Sequence, residues 1–375
     1  MTYSNILNHR TMILDDYRNS LYADAIKKLV SPESIVLDLG AGLGIHGLMA
    51  ANAGAKKVYL VEPGAGLEVA TKVTELNDLS DRIICVRGNI EEVKLPEPVD
   101  IIISVFTGNF LLQEDLLPSL FYARDKYLKK GGILVPDRAK MEVVPVMAKG
   151  LFEKNIASWS TPSQGIDYEL VREYAANSIY YGDHREEIDD YLAEPAEIIE
   201  LDFMTAKKAD CRNTIEVTVT KAGTCHGWLG WFQTRLGDNW LSTSPQVTKT
   251  HWGQAFLPLD PPLQMSAGDT ISFQLHRPEL GEWTWIVKTG NAEQKHSTFL
   301  SHPVTPGVLQ RKSADHKAVL NVKGQAAMYV LQNLNGKMTT NNIATELVKS
   351  YPEVFPDHEH AMRFVINLID RFTRT

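Results

Sequence analysis

Cysteine is scarce in this sequence, and long apolar runs are missing from it. Cys85, Cys211 and Cys225 are an odd number without a CxxC pair, which argues against a disulfide framework and against a structural zinc site. We therefore expect no metal. No stretch of the 375 residues is apolar over the length that a bilayer requires, and the first residues lack the basic and apolar regions of a secretory signal. These absences predict reduced thiols in a cytoplasmic protein with no membrane partner.

Positive charge is also in short supply. Lysine and arginine number 38 against 46 aspartate and glutamate, a formal net charge of −8. Because phosphate binding depends on clustered basic side chains, this balance disfavours nucleic acid as a partner. Hydrophobic residues make up 44% of the chain and charged residues 22%, the composition of an ordinary globular protein with room for two or three domains.

The first part of the chain, residues 1–145, alternates short apolar segments with amphipathic ones. This alternation predicts a parallel sheet with helices between its strands, that is, a Rossmann-like α/β domain. The segments predicted as strands are residues 35–39, 57–61 and 100–104, and the predicted helices are residues 47–52 and 66–76.

The pattern changes over residues 146–306, where apolar and polar residues alternate as in antiparallel strands. Residues 214–219 and 270–275 are examples. Six of the seven tryptophans fall in the second half of this region, as expected for the core of an antiparallel β-barrel domain. Residues 151–192 interrupt the strands and look helical, and we interpret them as a protruding arm.

Prolines between residues 302 and 307 predict a linker, after which residues 311–375 are expected to form a small module. A short strand is predicted over residues 317–322 beside a second one, and helices are predicted over residues 324–334, 340–351 and 358–372. This pattern predicts a winged-helix-like α+β domain.

The strongest local signal ends the first predicted strand. Asp38 is followed by Gly40, Gly42 and Gly44, glycines that allow a tight turn and a close approach of the backbone to a ligand above a helix start. Dehydrogenases use a similar glycine loop, but an acid two residues before the first glycine favours a nucleoside ligand without a pyrophosphate. The predicted cofactor is S-adenosylmethionine.

Two further strand ends carry side chains suited to this ligand. Glu62 closes the second strand, where it would accept hydrogen bonds from both ribose hydroxyls. Ile90 and Glu91 follow the third strand, where Ile90 would flank an adenine and Glu91 would accept its amino group. Since the carboxyl ends of parallel strands meet in one crevice, we expect these residues to form a single cofactor site with the glycine loop.

With these residues in view, the first 300 or so positions resemble the protein arginine methyltransferases. The segment from His9 to Met12, followed by Asp15 and Arg18, resembles the helix that precedes the sheet in this family. The resemblance implies that Arg18 binds the carboxylate of the cofactor and that Met12 lies beside it. It extends to residues 53–58, 122–126, 136–139, 242–245 and 250–252, the last two being part of a loop that reaches from the family's β-barrel back to the active site.

The same resemblance implies a head-to-tail homodimer, because residues 151–192 fall where the family carries its dimerisation arm. Tyr3 stands where the family has the second aromatic residue of an N-terminal lid helix, and the chain begins too late to supply the first. We therefore expect a lid that is shortened or built otherwise.

The substrate loop departs from the family pattern at one position. In arginine methyltransferases this loop carries two glutamates that clamp the acceptor guanidinium; Glu114 matches the second, and Val105 replaces the first. A guanidinium suits a pair of carboxylates, whereas an apolar wall with one acceptor suits a neutral NH₂ group such as a carboxamide. Phe106, Asn109 and Trp252 complete the predicted substrate-binding set.

An amide nitrogen is a poor nucleophile because its lone pair is delocalised, so it needs help beyond proximity. We predict that Glu114 accepts a hydrogen bond from the nitrogen and that His251 acts as a base or proton relay, oriented by Asp15. The alternative is a structural role for His251. Another acid, Asp115 or Glu68, would weaken the preference for a neutral acceptor if it reached the site.

Residues 317–372 resemble the small PqqD-type domains that recognise leader peptides of ribosomally made, modified peptides. The resemblance implies that an extended leader adds as a strand to a sheet edge and that tethering raises the concentration of the peptide core near the active site. The alternative is a helical domain that packs on the barrel or aids dimerisation. A DNA-binding winged helix is disfavoured because the predicted helices lack a dense basic face.

The sequence therefore predicts an S-adenosylmethionine-dependent N-methyltransferase acting on side-chain nitrogen of a precursor peptide. Asparagine amide is the preferred acceptor, as in the asparagine N-methyltransferases of proteusin-type pathways. One alternative is an arginine N-methyltransferase that acts on protein, peptide or free arginine. The other is a non-catalytic peptide-binding scaffold, which is disfavoured because a scaffold has no use for Asp38, Glu62, Arg18, Glu114 and His251 together.

Overall fold

The computed structural model of the protein describes residues 6–290 and 292–373. The chain divides into two compact units, residues 1–303 and residues 304–375, and each is described by itself. Tyr3, where the sequence predicts the remnant of a lid helix, lies outside the described residues. Within the described part of the chain, no helix combines the length and the apolar character needed to cross a bilayer.

The first unit begins with a parallel sheet. Its strands are β1 (Ile35–Leu39), β2 (Lys57–Glu62), β3 (Ile83–Arg87), β4 (Val99–Ser104) and β5 (Leu128–Val135). They lie in the order β3-β2-β1-β4-β5, and β1 pairs in parallel with β2 on one side and β4 on the other. Because β1 is buried along its whole length, it needs the largely apolar run, interrupted by Asp38, that identifies it in the sequence. The order of the strands reverses at β1, so the carboxyl ends of β1 and β4 flank a crevice.

Helices cover the parallel sheet. They are α1 (Arg10–Ile13), α2 (Asp16–Leu29), α3 (Ile45–Asn52), α4 (Gly66–Leu76) and α5 (Leu117–Tyr127), preceded by a 3₁₀ turn at Ile6–His9. Asp15 caps α2 by accepting a hydrogen bond from the backbone N–H of Arg18. The Rossmann-like architecture predicted for this region is confirmed, with α4 at its predicted bounds and α3 beginning two residues earlier than predicted.

An antiparallel, barrel-like part follows in the same unit. Its strands are β6 (Arg138–Met147), β7 (Tyr180–Gly182), β8 (Asp190–Tyr191), β9 (Ala196–Asp202), β10 (Cys211–Thr218), β11 (Gly223–Leu236), β12 (Asn239–Ser242), β13 (Gln254–Met265), β14 (Thr270–Arg277), β15 (Thr284–Lys288) and β16 (Glu293–Ser297), with a 3₁₀ turn at Thr298–Leu300. β6 pairs with β11 and not with the parallel sheet. The antiparallel part therefore begins at Arg138, ahead of the boundary expected at residue 145.

Two sheets make up this part. One has the order β7-β13-β11-β6-β8 with β12 and β9 on its sides, and the other has the order β10-β14-β15-β16. Their shared core is aromatic: Trp228 and Trp285 are fully buried, and Trp228 stacks on Phe273 with ring centroids 4.3 Å apart. The same hydrophobic core continues into the parallel sheet, which fixes the two parts relative to each other.

The arm predicted at residues 151–192 is only partly helical. It contains most of α6 (Lys149–Asn155), a 3₁₀ turn at Ala157–Ser160 and α7 (Val171–Ala176), and then returns through β7 and β8. These two short strands pair with β13 and β6, which corrects the prediction of a wholly helical excursion. Pairing with an existing sheet supplies the hydrogen bonds that such short segments cannot make alone.

The second unit consists of helices over its described residues, 304–373. These are α8 (Pro306–Lys312), α9 (Val322–Asn333), α10 (Thr340–Ser350) and α11 (His358–Phe372), and α9 to α11 share an apolar core. The strand predicted at residues 317–322 is wrong: residues 317–321 are irregular, and Asn321 caps α9 by accepting a hydrogen bond of 2.8 Å from Gly324 N. Since no described residue of this unit lies in a strand, the expected α+β winged helix is corrected to a helical unit.

Candidate active site

A cavity of about 240 Å³ lies at the carboxyl ends of β1 and β2. Its walls come from the segment around α1 and α2, the glycine loop after β1, the ends of β2 and β3, and the β4–α5 loop (residues 105–116). The predicted site residues that line it are Met12, Arg18, Gly40, Gly42, Glu62, Ile90, Glu91, Val105, Phe106 and Glu114. The predicted site residues outside this lining are Asp15, Asp38, Asn109, His251 and Trp252.

The glycine loop presents backbone to the cavity. Gly40 and Gly42 have φ angles of 69° and 55°, a region that residues with a Cβ disfavour. A Cβ at Gly40 would lie 2.3 Å from the ring of Phe106, so the loop is too close to the facing wall for a side chain. Glu62 ties the loop to β2, since Oε2 accepts a 3.0 Å hydrogen bond from Gly42 N and Oε1 accepts a 2.7 Å bond from Gly64 N. The Glu62 carboxylate is therefore held in one orientation.

Asp38 lies behind the glycine loop. Its Oδ2 accepts a 2.7 Å hydrogen bond from the backbone N–H of Gly47 in the first turn of α3. Burial raises the pKa of Asp38 to about 7, although the hydrogen bond from Gly47 opposes the rise. Asp38 therefore supports the glycine loop through α3. The loop, and not Asp38 itself, lines the cavity.

The far wall of the cavity is formed by residues after β3. Ile90 is buried, and Glu91 is exposed at the rim with its carboxylate Oε1 accepting a 2.6 Å hydrogen bond from Ser119 Oγ. Tyr122 donates a 3.2 Å hydrogen bond to the carbonyl oxygen of Glu91. These two hydrogen bonds from α5 hold Glu91 in place beside the apolar side chain of Ile90. An apolar surface next to a carboxylate suits a purine with an exocyclic amino group.

Arg18 brings a buried positive charge to the cavity wall. It is 1% exposed, and its guanidinium donates to the carbonyl oxygen of Met12 at 2.6 Å and to Asn19 Oδ1 at 2.8 and 3.0 Å. These partners are neutral, and the carboxylates of Asp15 and Asp38 act on the Arg18 charge at longer range without forming an ion pair with it among the described residues. Burial lowers the pKa of Arg18. A buried cation with neutral partners is costly, so this end of the cavity is suited to an anionic group.

The β4–α5 loop, which the sequence predicts to hold the acceptor, forms the part of the cavity that we call the acceptor end, and Val105, Phe106 and Glu114 line it there. Two contacts fasten the loop to the antiparallel part: Trp252 Nε1 donates a 2.8 Å hydrogen bond to the carbonyl oxygen of Thr107, and Gly253 N donates a 2.9 Å bond to Asn109 Oδ1. Asn109 and Trp252, predicted as substrate contacts, are therefore occupied in holding the loop.

Asp15 and His251 are brought together as predicted, but beside the cavity. Asp15 Oδ2 accepts 2.8 Å hydrogen bonds from both Nδ1 and the backbone N–H of His251. Burial lowers the pKa of His251, and the hydrogen bond to Asp15 only partly offsets this. Burial alone would raise the pKa of Asp15, but hydrogen bonds from His251 and Arg18 hold it below its ordinary value. A neutral imidazole and an ionised carboxylate thus join the loop before β13 to α2.

Sequence reasoning missed His46, which lines the cavity near the start of α3. The side chain is buried against Tyr22, with ring centroids 4.3 Å apart, and its Nε2 has no hydrogen-bond partner. Burial lowers the pKa of His46 well below its ordinary value. Its position two residues after Gly44 was the available signal. Within the described residues, no group of His, Cys, Asp and Glu is arranged to hold a metal ion.

Comparison with known proteins identifies relatives along most of the chain. Residues 137–280 match a family model described as the arginine methyltransferase oligomerization subdomain. Protein arginine N-methyltransferase 6 of Danio rerio is 34% identical over 273 residues, covering 69% of this chain and 78% of the relative. Protein arginine N-methyltransferase 1 of Chlamydomonas reinhardtii is 34% identical over 283 residues, covering 73% of this chain and 81% of the relative.

Solved structures give the same result. The Trypanosoma brucei PRMT1 enzyme–prozyme heterotetrameric complex with AdoHcy superposes with a TM-score of 0.73 at 27% identity, covering 79% of this chain and 99% of that chain. The Arabidopsis thaliana protein arginine methyltransferase 10 superposes with a TM-score of 0.68 at 25% identity and the same coverage.

Proposed function

Because this chain belongs to the protein arginine N-methyltransferases, enzymes that use S-adenosylmethionine, we propose that it methylates the guanidinium nitrogen of arginine in a protein or peptide. The observation that carries the proposal is one cavity with a buried, unpaired cation at one end and Glu114 on the wall beside the other. Arginine becomes the main candidate acceptor in place of asparagine amide, since relatives named as arginine methyltransferases cover most of the chain.

The residues of the cavity fit S-adenosylmethionine group by group. Arg18 offers its positive charge to the single carboxylate of the cofactor, and the fixed Glu62 carboxylate has lone pairs left for ribose hydroxyls. Ile90 and Glu91 suit the adenine. When bound, the cofactor supplies an electrophilic methyl group on its sulfonium. We assign Asp38 and the glycines to shaping the wall, and Met12 to packing beside the amino-acid end.

At the acceptor end, Glu114 holds the guanidinium by a charge-assisted hydrogen bond. Transfer of the methyl group to the guanidinium nitrogen would release S-adenosylhomocysteine and one proton from that nitrogen, and Glu114, the carboxylate on the acceptor wall, would accept the proton. His251 does not line the cavity, so we assign the Asp15–His251 pair to holding the loop before β13 against α2. This differs from the relay expected from the sequence.

The test supplies full-length protein with S-adenosylmethionine carrying a labelled methyl group and two peptides that differ only in Arg or Asn at the acceptor position. Fragmentation mass spectrometry then locates the label, which we expect on arginine. Label on asparagine alone would reverse the order of the two acceptors. Tight binding of S-adenosylhomocysteine without transfer to either peptide would favour a peptide-binding scaffold.

Val105 is the observation that favours asparagine as the second candidate. An apolar side chain lines the cavity where a second carboxylate would complete a guanidinium clamp, and a carboxamide NH₂ needs only one acceptor. The discriminating pair is Val105→Glu against its neutral counterpart Val105→Gln. For an arginine acceptor, Val105→Glu leaves arginine methylation equal or higher. For a carboxamide acceptor, it abolishes the native activity and Val105→Gln reduces it less.

We further propose that the second unit binds the leader of a precursor peptide. Without a strand among its described residues, it would bind through helix surface: Met328 and Leu331 on α9 are each more than two-fifths exposed, and Val319 just before it is 90% exposed. A leader should lower the KM of the peptide about tenfold or more through tethering. Met328→Lys with Leu331→Lys should remove that gain without changing activity on a leaderless peptide, and an equal KM with and without leader would contradict the proposal.

A homodimer through the arm is part of the proposal. The arm exposes Ile166, Tyr168 and Leu170, the last being 74% exposed, and large exposed apolar side chains that cluster favour burial against a partner. The matched family model, described as an oligomerization subdomain, spans this segment. Light scattering should show a dimer that Ile166→Asp with Leu170→Asp converts to a monomer; a monomeric parent protein would contradict it.

A further inference from the structure

The β4–α5 loop holds Glu114 in a stretch of unfavourable backbone. Phe110, Leu111 and Asp115 have φ angles of 50°, 60° and 56°, all in the left-handed region that side chains with a Cβ avoid. Three such residues among six, two of them large and apolar, do not keep this conformation unless the surroundings impose it. The conformation of the loop must therefore be stabilised from outside.

Arg277 at the end of β14 supplies that stabilisation at the C-terminal side of the stretch. It is 2% exposed and forms an ion pair with Asp115. Asp115 Oδ1 also accepts a 3.2 Å hydrogen bond from the backbone N–H of Leu280. Two groups of the antiparallel part thus bind the carboxylate of the residue that directly follows Glu114.

The same arginine reaches the N-terminal side of the stretch through an aromatic stack. The guanidinium carbon of Arg277 lies 5.6 Å from the ring centroid of Trp283, and Trp283 stacks on Phe110 with ring centroids 5.3 Å apart and planes at 19°. Phe110 is fully buried. Arg277 therefore supports both left-handed ends of the segment that contains Glu114.

Glu114 has little freedom once these ends are held. A Cβ at Gly108 would lie 2.7 Å from Glu114 Cγ and 2.9 Å from Glu114 N. The first carbons of the Glu114 side chain therefore pack against Gly108, where any other residue would clash with them. The peptide unit between Glu114 and Asp115 is planar, and a rotation of Asp115 would redirect it. We propose that Arg277 is a positioning residue for methyl transfer, which fixes the direction of the Glu114 carboxylate through Asp115 and the Trp283–Phe110 stack.

The hydrogen bonding of Arg277 is poor for a residue that serves stability alone. Its Nε and Nη1 are buried and have no hydrogen-bond partner, and buried donors left without partners destabilise a fold. Removing Arg277 leaves Asp115 without its ion-pair partner, which is destabilising for a fully buried pair, but the Asp115 side chain is 32% exposed and keeps the hydrogen bond from Leu280 N, so its charge stays partly compensated. We therefore expect Arg277→Met to lower the melting temperature modestly, while the rate of transfer falls by a much larger factor.

The inference rests on the proposed role of Glu114 at the acceptor, and its test separates the two. In full-length Arg277→Met, kcat for the acceptor peptide should fall about tenfold to a hundredfold, as for a misplaced group, while KM and the dissociation constant of S-adenosylhomocysteine change less than about twofold. Arg277→Lys should lie between the two proteins. Arg235→Met is the matched control, since Arg235 forms an ion pair with Asp137 away from the loop, and it should behave as the parent.

The second substitution Asp115→Gly should restore part of the activity of Arg277→Met, which would not happen if Arg277 had only a structural role. Because glycine adopts positive φ without a Cβ penalty, Arg277→Met combined with Asp115→Gly should regain part of the kcat lost by Arg277→Met alone. Parental kcat in Arg277→Met, or a parallel loss of S-adenosylhomocysteine affinity, would overturn the inference.

Hydrogen exchange provides a readout that does not depend on activity. The backbone amides of residues 112–115 should exchange faster in Arg277→Met than in the parent and in Arg235→Met, because the loop loses its anchor. Equal protection in the three proteins would overturn the inference. If the parent protein transfers no methyl group to any peptide, the proposed function fails, and the exchange rates still decide whether Arg277 holds the loop.

Discussion

The two ends of the cavity are built in different ways. At the cofactor end, the cavity-lining residues that we assign to binding the cofactor lie between Met12 and Glu91, and the carboxylate of Glu62 is fixed by backbone N–H groups of the loops that follow β1 and β2. At the acceptor end, the loop with Glu114 depends on groups more than a hundred residues away, such as Trp252 and Arg277. The positions of the side chains at the cofactor end thus follow mainly from local sequence. At the acceptor end they follow from packing between the parallel-sheet part and the antiparallel part.

The largest expected effect separates the two ends directly. Glu114→Gln removes the charge that faces the acceptor nitrogen, and kcat/KM should fall about a hundredfold to a thousandfold, as when an electrostatic group of a transition state is lost. Calorimetry with S-adenosylhomocysteine should show an unchanged dissociation constant. Glu33→Gln, at an exposed surface ion pair, is the control. A comparable loss of cofactor affinity would mean that the two ends are not independent.

Substitution of Arg18 should have the opposite effect, a loss of cofactor affinity. Arg18→Met removes the cation proposed to meet the cofactor carboxylate, and the affinity for S-adenosylhomocysteine should fall about tenfold to a hundredfold, the value of a hydrogen bond to a charged group. Binding of 5′-methylthioadenosine, which has no carboxylate, should change little. Lys27→Met, an exposed change on the same helix, is the control. Equal losses for both ligands would place the carboxylate elsewhere.

The same contrast explains what the sequence could predict. The strand at residues 35–39 and the helix at residues 66–76 were predictable, because burial on both faces and amphipathic spacing are local patterns. Glu62 and Glu91 at the cavity follow from strand ends that must share one edge. The direction of a side chain does not follow from such patterns, and Asp38, a strand-end acid of the same kind, turns beneath the glycine loop to Gly47.

The failures occur where a remote partner decides the structure. Residues 317–322 alternate like a strand, but the described residues of the unit offer no second strand, and Asn321 caps a helix instead. The substrate contacts expected of Asn109 and Trp252 stay a prediction, and the hydrogen bonds of both side chains between the β4–α5 loop and the segment before β13 could not be foreseen from the sequence. The ion pair of Asp115 with Arg277 joins positions 162 apart in the sequence, a separation at which no spacing pattern helps.

A smaller effect concerns the pH dependence of stability at the cofactor end. The pKa of Asp38 is about 7 in the folded protein against an ordinary 3.8, so between these values the folded protein holds a proton that the unfolded chain has lost. Stability therefore falls as the pH rises from about 4 to 7. Asp38→Asn stays neutral and should lack this fall, with a gain over the parent protein of about 1–3 kcal/mol at pH 8 relative to pH 4.

Asp100 provides the control of opposite sign. Although burial alone would raise it, hydrogen bonds from Lys129 and the backbone N–H of Ile35 hold the pKa of Asp100 below its ordinary value. Its stabilisation is therefore present at neutral pH and lost in acid, so Asp100→Asn should be less stable than the parent at pH 7. Chemical denaturation over this pH range measures both variants. If Asp38→Asn, like Asp100→Asn, were less stable than the parent at pH 7, the Asp38 carboxylate would have to be ionised and stabilised by a partner in the folded protein.

The smallest effect tests whether the shape of the cofactor end lowers the stability of the protein when no ligand is bound. His46 Nε2 is buried without a partner, whereas the similarly buried His226 accepts a 3.2 Å hydrogen bond from Ala148 N. His46→Leu removes an uncompensated polar group, so the free energy of unfolding should stay level or rise by about 1 kcal/mol. His226→Leu should lower it by a similar amount, because Ala148 N then loses its acceptor. Equal losses in the two variants, measured without cofactor, would show that His46 has a polar partner and that the cofactor end, like the acceptor end, depends on contacts that the sequence does not reveal.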